Sequence, residues 1–391
     1  MAYLIYCSFE AGGFPYIFSR LLNRHGVETY YVSTGTQRTH DSAVFHFGER
    51  RDSWNLSGLL SPSACHSRSF ERLIERYDIR RCFATGTGLN ALEATRLPYM
   101  YWSYGADIDH ECAWIDPSSR PVTPRQWLSY VAHVARVPGA RSAVLGADAV
   151  FIAPYQRQHM ARLCPGKKLF FVPQVVPVAP WEALLARRTA ARAKLCGELG
   201  ARYLFFSSTR HHWGAAAANS VDRKGNDVAI RAFARFERAH RGSSKLVLVD
   251  KGPAVQASKT LIAELGLQGS IVWIGQMKRD ALADYYAAAH ACLAQFGTPV
   301  LSYAPIESMA AGTPTASFAG VVNDPIVPSY RSSPELCNSL DPDEIAAFME
   351  DCLDPEFALE RGRRAWEWVA ANCSEATFVE EFKAYMGTAP R

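Results

Sequence analysis

Residues 3–32 read YLIYCSFEAGGFPYIFSRLLNRHGVETYYV, and the architecture follows from this stretch. Tyr3 to Cys7 is a short continuous apolar run, the pattern of a strand covered on both faces. After the turn Glu10-Ala11-Gly12-Gly13, the apolar residues Phe14, Ile17, Phe18, Leu21 and Leu22 recur at helical spacing and make one face. His25-Gly26 closes that helix, glycine being favoured just beyond a helix end. Thr29 to Val32 reads as a second strand. The result is a β-α-β unit, whose parallel strands cross over right-handed.

The alternation recurs along the chain. Strands are expected at Cys82 to Ala84, Tyr99 to Ser103, Ala149 to Ala153 and Leu169 to Val172, with a helix at Leu89 to Thr95. A second series starts at Tyr203 to Ser207 and runs through helix Asp227 to Ala239, strand Leu246 to Val249 and helix Ser258 to Leu265. Strand Ile271 to Ile274, helix Asp280 to Ala288, strand Cys292 to Ala294, helix Ile306 to Ala311 and strand Thr315 to Phe318 complete it. Asp341-Pro342-Asp343-Glu344 marks a further helix start, with a cap, a proline in the first turn and an acid three residues after the cap. Arginines and alanines over residues 182–199 suggest an exposed helical connector. The expected organisation is therefore α/β: two tandem Rossmann-like, doubly wound parallel-sheet domains facing across a cleft. They span 1–190 and 200–372, and a C-terminal helix over 373–391 crosses back to the first domain.

The 391 residues carry 42 Lys+Arg against 38 Asp+Glu, a net charge of +4, with 48% hydrophobic and 20% charged residues. That composition excludes a disordered tail, a collagen and a small stapled domain. The charge surplus is too small for a nucleic-acid module, so no nucleic-acid partner is expected. The ten cysteines form no Cys-x-x-Cys clip for zinc or redox chemistry, and scattered thiols suit a reducing cytosol. No signal peptide is expected, because the N-terminus lacks a basic start and reaches Glu10 after a short apolar run. No apolar stretch approaches the ~18 residues of a membrane span. Arg72, Arg76, Arg80, Arg81, Arg187 and Arg188 can be read as a basic surface for an anionic membrane at its inner face, or as solvated faces.

Two stretches carry the chemistry. In the first, a strand ends at Ser207-Ser208-Thr209, then come Arg210, His211, His212 and Trp213, and Asp222-Arg223-Lys224-Gly225-Asn226-Asp227 opens a helix. An arginine at a strand's carboxyl end and a lysine at the next helix's start converge on one spot, where the helix amides add partial positive charge. A diphosphate fits that arrangement, and a solvated basic loop is the bland alternative. His211 and His212 are further phosphate candidates. In the second stretch, Gln295-Phe296-Gly297 precedes Glu307-Ser308-Met309-Ala310-Ala311-Gly312-Thr313-Pro314. An acid such as Glu307, near a helix start, can accept hydrogen bonds from the vicinal diol of a ribose, or simply complement the helix dipole.

Arg210, Lys224-Gly225-Asn226-Asp227, Glu264-Leu265-Gly266-Leu267, Ile274-Gly275, Tyr285-Tyr286, Phe296-Gly297 and Glu307 to Pro314 occur in a fixed order. This series resembles the nucleotide-sugar half of retaining glycosyltransferases with the GT-B fold, the group with a Glu-x7-Glu donor motif that includes sucrose-synthase-like and mannosyltransferase-like enzymes. It covers roughly residues 203–320. The resemblance implies that Arg210 and Lys224 hold the donor diphosphate and that Glu307 holds the ribose. It also implies that backbone around Gly275-Gln276-Met277 meets the base. Gln295, Phe296 and Gly297 would line the donor site. In the first half, the Gly12-Gly13 turn would lie against donor phosphates and acceptor, and Asp107 or His110 would contact donor or acceptor. The first acid of the motif should lie two residues before Phe296, where Ala294 stands, and the spacing to Glu307 is longer than the group's.

The activity so implied is transfer of a sugar from a nucleoside-diphosphate donor to an acceptor hydroxyl with retention. The acceptor would be a glycan, a lipid-linked molecule or a small molecule. No metal and no cofactor are implied, the nucleotide sugar being a co-substrate. Three alternatives are open: a nucleotide-sugar epimerase or phosphorylase on the same plan, a non-catalytic nucleotide-sugar binder, and an NAD(P)-dependent enzyme. The last uses Gly86-x-Gly88-x-x-Ala91, which follows a short strand as the dinucleotide fingerprint requires.

Overall fold

The computed structural model describes residues 2–7, 14–33, 53–55, 71–72, 74–85, 96–103, 127, 131, 137–138, 141–152, 156–171, 174–217, 223–277, 279–320 and 330–388. Its backbone clusters into two units, one of residues 1–172 with 379–391 and the other of residues 173–378.

In the first unit, β1 (Ala2–Cys7), α1 (Phe14–Arg24) and β2 (Thr29–Ser33) form the β-α-β unit. Leu4 and Ile5 of β1 and Phe18, Leu21 and Leu22 of α1 are buried, as strand and helix periodicity require. The return from α1 to β2 is fixed by polar groups. The Asn23 side chain donates to the Thr29 carbonyl and accepts from its N–H, both at 2.9 Å, and Gly26 takes the left-handed φ of 73°. β3 (Ser53–Asn55), β4 (Ile79–Thr85), β5 (Tyr99–Trp102), β6 (Ala149–Phe151), α2 (Arg157–Leu163) and β7 (Lys168–Phe170) follow. The strands form one parallel sheet in the order β3-β2-β1-β4-β5-β6-β7. Residues from Val379 on cluster with this unit. There Phe382 packs on Tyr3 and Phe83, and Tyr385 packs on Phe151 and Phe170, which covers one face of the sheet with aromatic rings.

The second unit opens with α3 (Trp181–Leu199) and continues β8 (Tyr203–Ser207), α4 (Asn226–Ala239), β9 (Ser244–Val249), α5 (Val255–Glu264) and β10 (Ile271–Ile274). Then come α6 (Arg279–Ala288), β11 (Ala291–Leu293), α7 (Tyr303–Ala310), β12 (Thr315–Ser317), β13 (Cys337–Asn338), α8 (Pro342–Asp351) and α9 (Pro355–Asn372), and α10 (Glu375–Thr388) starts in this unit and belongs to the first from Val379 on. The parallel sheet runs β10-β9-β8-β11-β12-β13, so β8 lies at the point where strand order reverses, between β9 and β11. Its residues alternate between two cores. Leu204 and Phe206 pack with Ala191 and Leu195 of α3, while Phe205 packs with Ile230, Phe233 and Phe236 of α4. The Asp341 carboxylate caps α8, accepting from the Asp343 N–H at 2.9 Å with Pro342 in the first turn.

Two expectations are corrected. The boundary falls at residues 172/173 rather than at about 185–200, because α3 is a packed helix of the second unit and not an exposed connector. Its arginines look solvated in the sequence but are committed. Buried Arg188 donates to the Gly312 carbonyl at 2.7 Å, and Arg192 donates to the carbonyls of Ala288 and Ala289 at the end of α6. Arg187 pairs with Asp284 at 2.8 Å and Arg80 with Asp78 at 2.6 Å. Among the described residues, no helix is long and apolar enough to cross a membrane.

Candidate functional site

Ligands of open α/β sheets bind beyond the carboxyl ends of the strands, near the switch in strand order. In the second unit that place is the end of β8. Here one amide organises the chain. Asn226, at the start of α4, donates through Nδ2 to the Thr209 carbonyl and accepts through Oδ1 from the His212 N–H, each at 3.1 Å. Thr209 also donates through Oγ1 to the Ala294 carbonyl at 3.1 Å, and Lys224 N–H donates to the His212 carbonyl at 2.7 Å. Arg210 therefore stands in a segment anchored on both sides, next to the turn that carries Lys224.

That turn leaves no room for a side chain. Gly225 caps α4 with φ 64°, and a Cβ there would lie 2.7 Å from the Phe296 carbonyl carbon. Gly297 in turn packs against the backbone of Arg223. The two segments are joined by the Phe296 N–H donating to the Lys224 carbonyl at 2.9 Å and by Thr298 Oγ1 donating to the Arg223 carbonyl at 3.0 Å. Lys224 Nζ donates to Gln295 Oε1 at 2.9 Å. Burial, and then the charge of Arg210, push the Lys224 ammonium down to about 8. Beyond the carboxyl end of β8, Arg210 thus lies near enough for its charge to act on the largely desolvated Lys224 ammonium. An anion that touched both would relieve their repulsion.

A second polar chain leads to Glu307. The Tyr286 hydroxyl donates to Glu307 Oε2 at 3.1 Å and shares a 2.5 Å hydrogen bond with Ser208 Oγ. A phenol has one proton, so Ser208 is the donor to Tyr286. Burial, with the neighbouring Glu307 carboxylate, holds the Tyr286 phenol well above its usual range, so it stays a donor. Glu307 lies on the second turn of α7, which begins at Tyr303, and not near the helix start as expected. A dipole-complementing role does not suit that position.

Several expected site residues take other roles. Phe296 is a core side chain, and Gln295 is fully buried with its amide spent on Lys224 and Thr298. Neither offers a side chain to a donor. Together with Gly297 they seat the lysine turn. His211 is fully buried under Trp273, shares a 2.7 Å hydrogen bond with Ser258 Oγ, and is pushed down to about 4 mainly by burial. It is a neutral core residue and no phosphate ligand. Gly275, Gln276 and Met277 directly follow β10, with Gly275 and Gln276 exposed. Gly12, Gly13, Gly86, Gly88, Asp107 and His110 lie outside the described residues. The reading of the sequence missed Asn226, Ser208 and Tyr286. Asn226 had a visible signal, a polar residue in the Lys-Gly-Asn-Asp helix opening. Among the described residues, no group of His, Cys, Asp and Glu could hold a metal ion.

Residues 216–360, within the second unit, match the family model described as glycosyl transferases group 1. A D-inositol 3-phosphate glycosyltransferase of Acidothermus cellulolyticus is 30% identical over 152 residues, 36% of this chain and 33% of that protein. The match thus spans about a third of the length of that relative. Sucrose-phosphate synthase from Thermosynechococcus elongatus superposes with a TM-score of 0.62 at 16% identity, covering 99% of each chain. This is the GT-B glycosyltransferase fold. The Anabaena protein Alr3699/HepE, in its complex with UDP-glucose, shares it with a TM-score of 0.57 at 13% identity over 99% of each chain. In the GT-B framework the switch in strand order at β8 is where Arg210 and Lys224 meet, inside the group 1 glycosyltransferase segment for Lys224 and just before it for Arg210.

Proposed function

We propose that the chain transfers a sugar from a nucleoside-diphosphate-sugar donor to an acceptor hydroxyl, with retention of configuration, in the synthesis of a glycan or glycoconjugate. The observation that carries the reading is that the Asn226 amide ties the Arg210 segment to the helix opening that bears Lys224, beyond the carboxyl end of β8. The leaving group of such a reaction is a nucleoside diphosphate, so the protein's main task is to stabilise charge that develops on it. Two cations supply that stabilisation without a divalent metal, and activity is expected to survive chelation. Glu307, fixed by Tyr286, is the acceptor for ribose hydroxyls. The acceptor proton passes to a donor phosphate oxygen on the attacked face, since no protein nucleophile is assigned.

The complex of a structural neighbour with UDP-glucose supports a nucleotide-sugar donor. The described cysteines Cys82, Cys164, Cys196, Cys292, Cys337, Cys352 and Cys373 are thiols, which supports work in the reducing cytosol. The test has two stages. A thermal-shift panel of UDP, GDP, ADP, CMP, NAD and NADP identifies the nucleotide, since a ligand that binds only the folded state raises the melting temperature. Product analysis with the labelled donor then reads the reaction. A glycosylated acceptor with retained anomeric configuration is the expected product. An epimer formed without acceptor, dependence on phosphate, or a response to NAD alone would each overturn the reading.

A further inference from the structure

Gln295 stands one residue after Ala294, in the segment where the resemblance places an acid. Its side chain is fully buried, and its orientation is decided at both ends. The amide nitrogen donates to the Thr298 carbonyl at 3.2 Å, which turns the amide oxygen to Lys224 Nζ at 2.9 Å. An ammonium only donates and a carbonyl only accepts, so the reversed amide would set donor against donor and acceptor against acceptor. The Gln295 backbone is held as well, its carbonyl accepting from Phe318 N–H at 2.7 Å and from Ser317 Oγ at 2.8 Å on the β12 side. Thr298 Oγ1 closes the circuit on Arg223, beside Lys224. One short segment therefore fixes both the backbone and the ammonium head of the lysine.

We propose that Gln295 is a positioning residue for Lys224, an uncharged acceptor that holds the ammonium in place for a diphosphate-class anion without neutralising it. The inference rests on the reading of Arg210 and Lys224 as the diphosphate site. A carboxylate in this position would satisfy the same hydrogen bond but cancel the lysine's charge. An amide holds the ammonium without itself offsetting that charge. The charge of Arg210 acts on the ammonium, and Arg223 adjoins Lys224 in the turn. The Gln295 side of the site is neutral.

The test uses the full chain, with UDP, GDP and ADP as probes and calorimetry to read affinity across pH. Gln295→Glu places a carboxylate against the ammonium. It is expected to weaken binding about tenfold or more near neutrality and to move the alkaline loss of affinity up by about one pH unit or more. Gln295→Met removes the hold without adding charge. It is expected to weaken binding several-fold without an upward move of that midpoint. A purely structural role of Gln295 would leave the midpoint alone. If neither variant folds, the wild-type profile decides. Affinity that falls between about pH 8 and pH 9 fits a lysine held by a neutral partner, and affinity that stays flat to about pH 10 overturns the proposal. Folded variants with wild-type affinity and midpoint also overturn it. If the wild-type chain binds none of the three nucleotides, the functional reading fails and the inference falls with it, whereas wild-type binding with unaffected variants overturns the inference alone.

Discussion

Replacing Lys224 by methionine isolates what its ionisation costs the fold. In the folded chain the ammonium is pushed from the ordinary 10.5 to about 8, by burial first and by Arg210 second. Unfolded, the side chain is expected to titrate at its ordinary value. Between those two values the unfolded chain binds more protons than the folded one, so stability rises with pH there. The contribution is present above the unfolded value and is lost as pH falls through about 8. At about 1.4 kcal/mol per pH unit the full shift corresponds to about 3 kcal/mol, of which about 2 kcal/mol develops between about pH 7 and about pH 9.5.

Lys224→Met also strands the Gln295 oxygen without its donor, a cost of about 1–3 kcal/mol that does not depend on pH. The informative quantity is therefore the change with pH of the stability difference between wild type and variant. Groups that do not touch Lys224 cancel in that difference. Denaturant unfolding followed by tryptophan fluorescence at the two pH values measures it. Wild type should gain about 2 kcal/mol on the variant between about pH 7 and about pH 9.5. A difference that stays flat would refute the picture of a desolvated cation pressed by Arg210.

Arg210→Ala should lower turnover more than about tenfold while the chain stays folded, since a charge-assisted hydrogen bond contributes about 1.5–3 kcal/mol; steady-state kinetics beside a melting curve checks this. Tyr286→Phe removes the proton given to Glu307 and should weaken binding of the nucleoside diphosphate about three- to tenfold. Unchanged affinity by calorimetry would make the Ser208–Tyr286–Glu307 chain a structural feature only. Gly225→Ala sets a Cβ against the Phe296 carbonyl carbon at a left-handed position, and should cost more than about 1 kcal/mol while reducing nucleotide affinity. A variant with wild-type stability and affinity would show that the turn adapts.

The strands and helices were legible because burial on both faces leaves continuous apolar runs, as in Leu204 to Phe206, and because α4 repeats its apolar residues at helical spacing. Buried polar residues were harder to read. Arg188 and Arg192 looked like a solvated face, and only the carbonyls of Gly312, Ala288 and Ala289, distant in sequence, reveal that α3 belongs to the second unit. Gln295 and Phe296 looked like donor contacts from their place in a motif. The apolar run covers only Ala291 to Ala294, and burial nevertheless continues through Gln295 and Phe296. The sequence reading starts the helix at Ile306, which puts Glu307 near its start, whereas α7 begins at Tyr303 with Pro305 in its first turn. The meeting of Arg210 with Lys224 depends on the Asn226 amide, which couples residues far apart in the chain.

The arrangement around Lys224 is a poor solution if stability alone is the criterion. A lysine there is desolvated, faces a second cation, and sits beside the N-terminus of α4, whose amides add positive potential. A glutamate at residue 295 would relieve all three, and a methionine at 224 would remove them. The chain instead places a neutral amide there and anchors it at both ends. Unfavourable electrostatics held this firmly is stabilised by what arrives from outside. On the proposed reading, a diphosphate would touch both Arg210 and Lys224 and offer acceptors to the helix amides. Part of the cost of desolvating Lys224 would then reappear as binding free energy for the anion. For that reason the same lysine should be both the local weak point of the fold and its strongest handle on a nucleoside diphosphate.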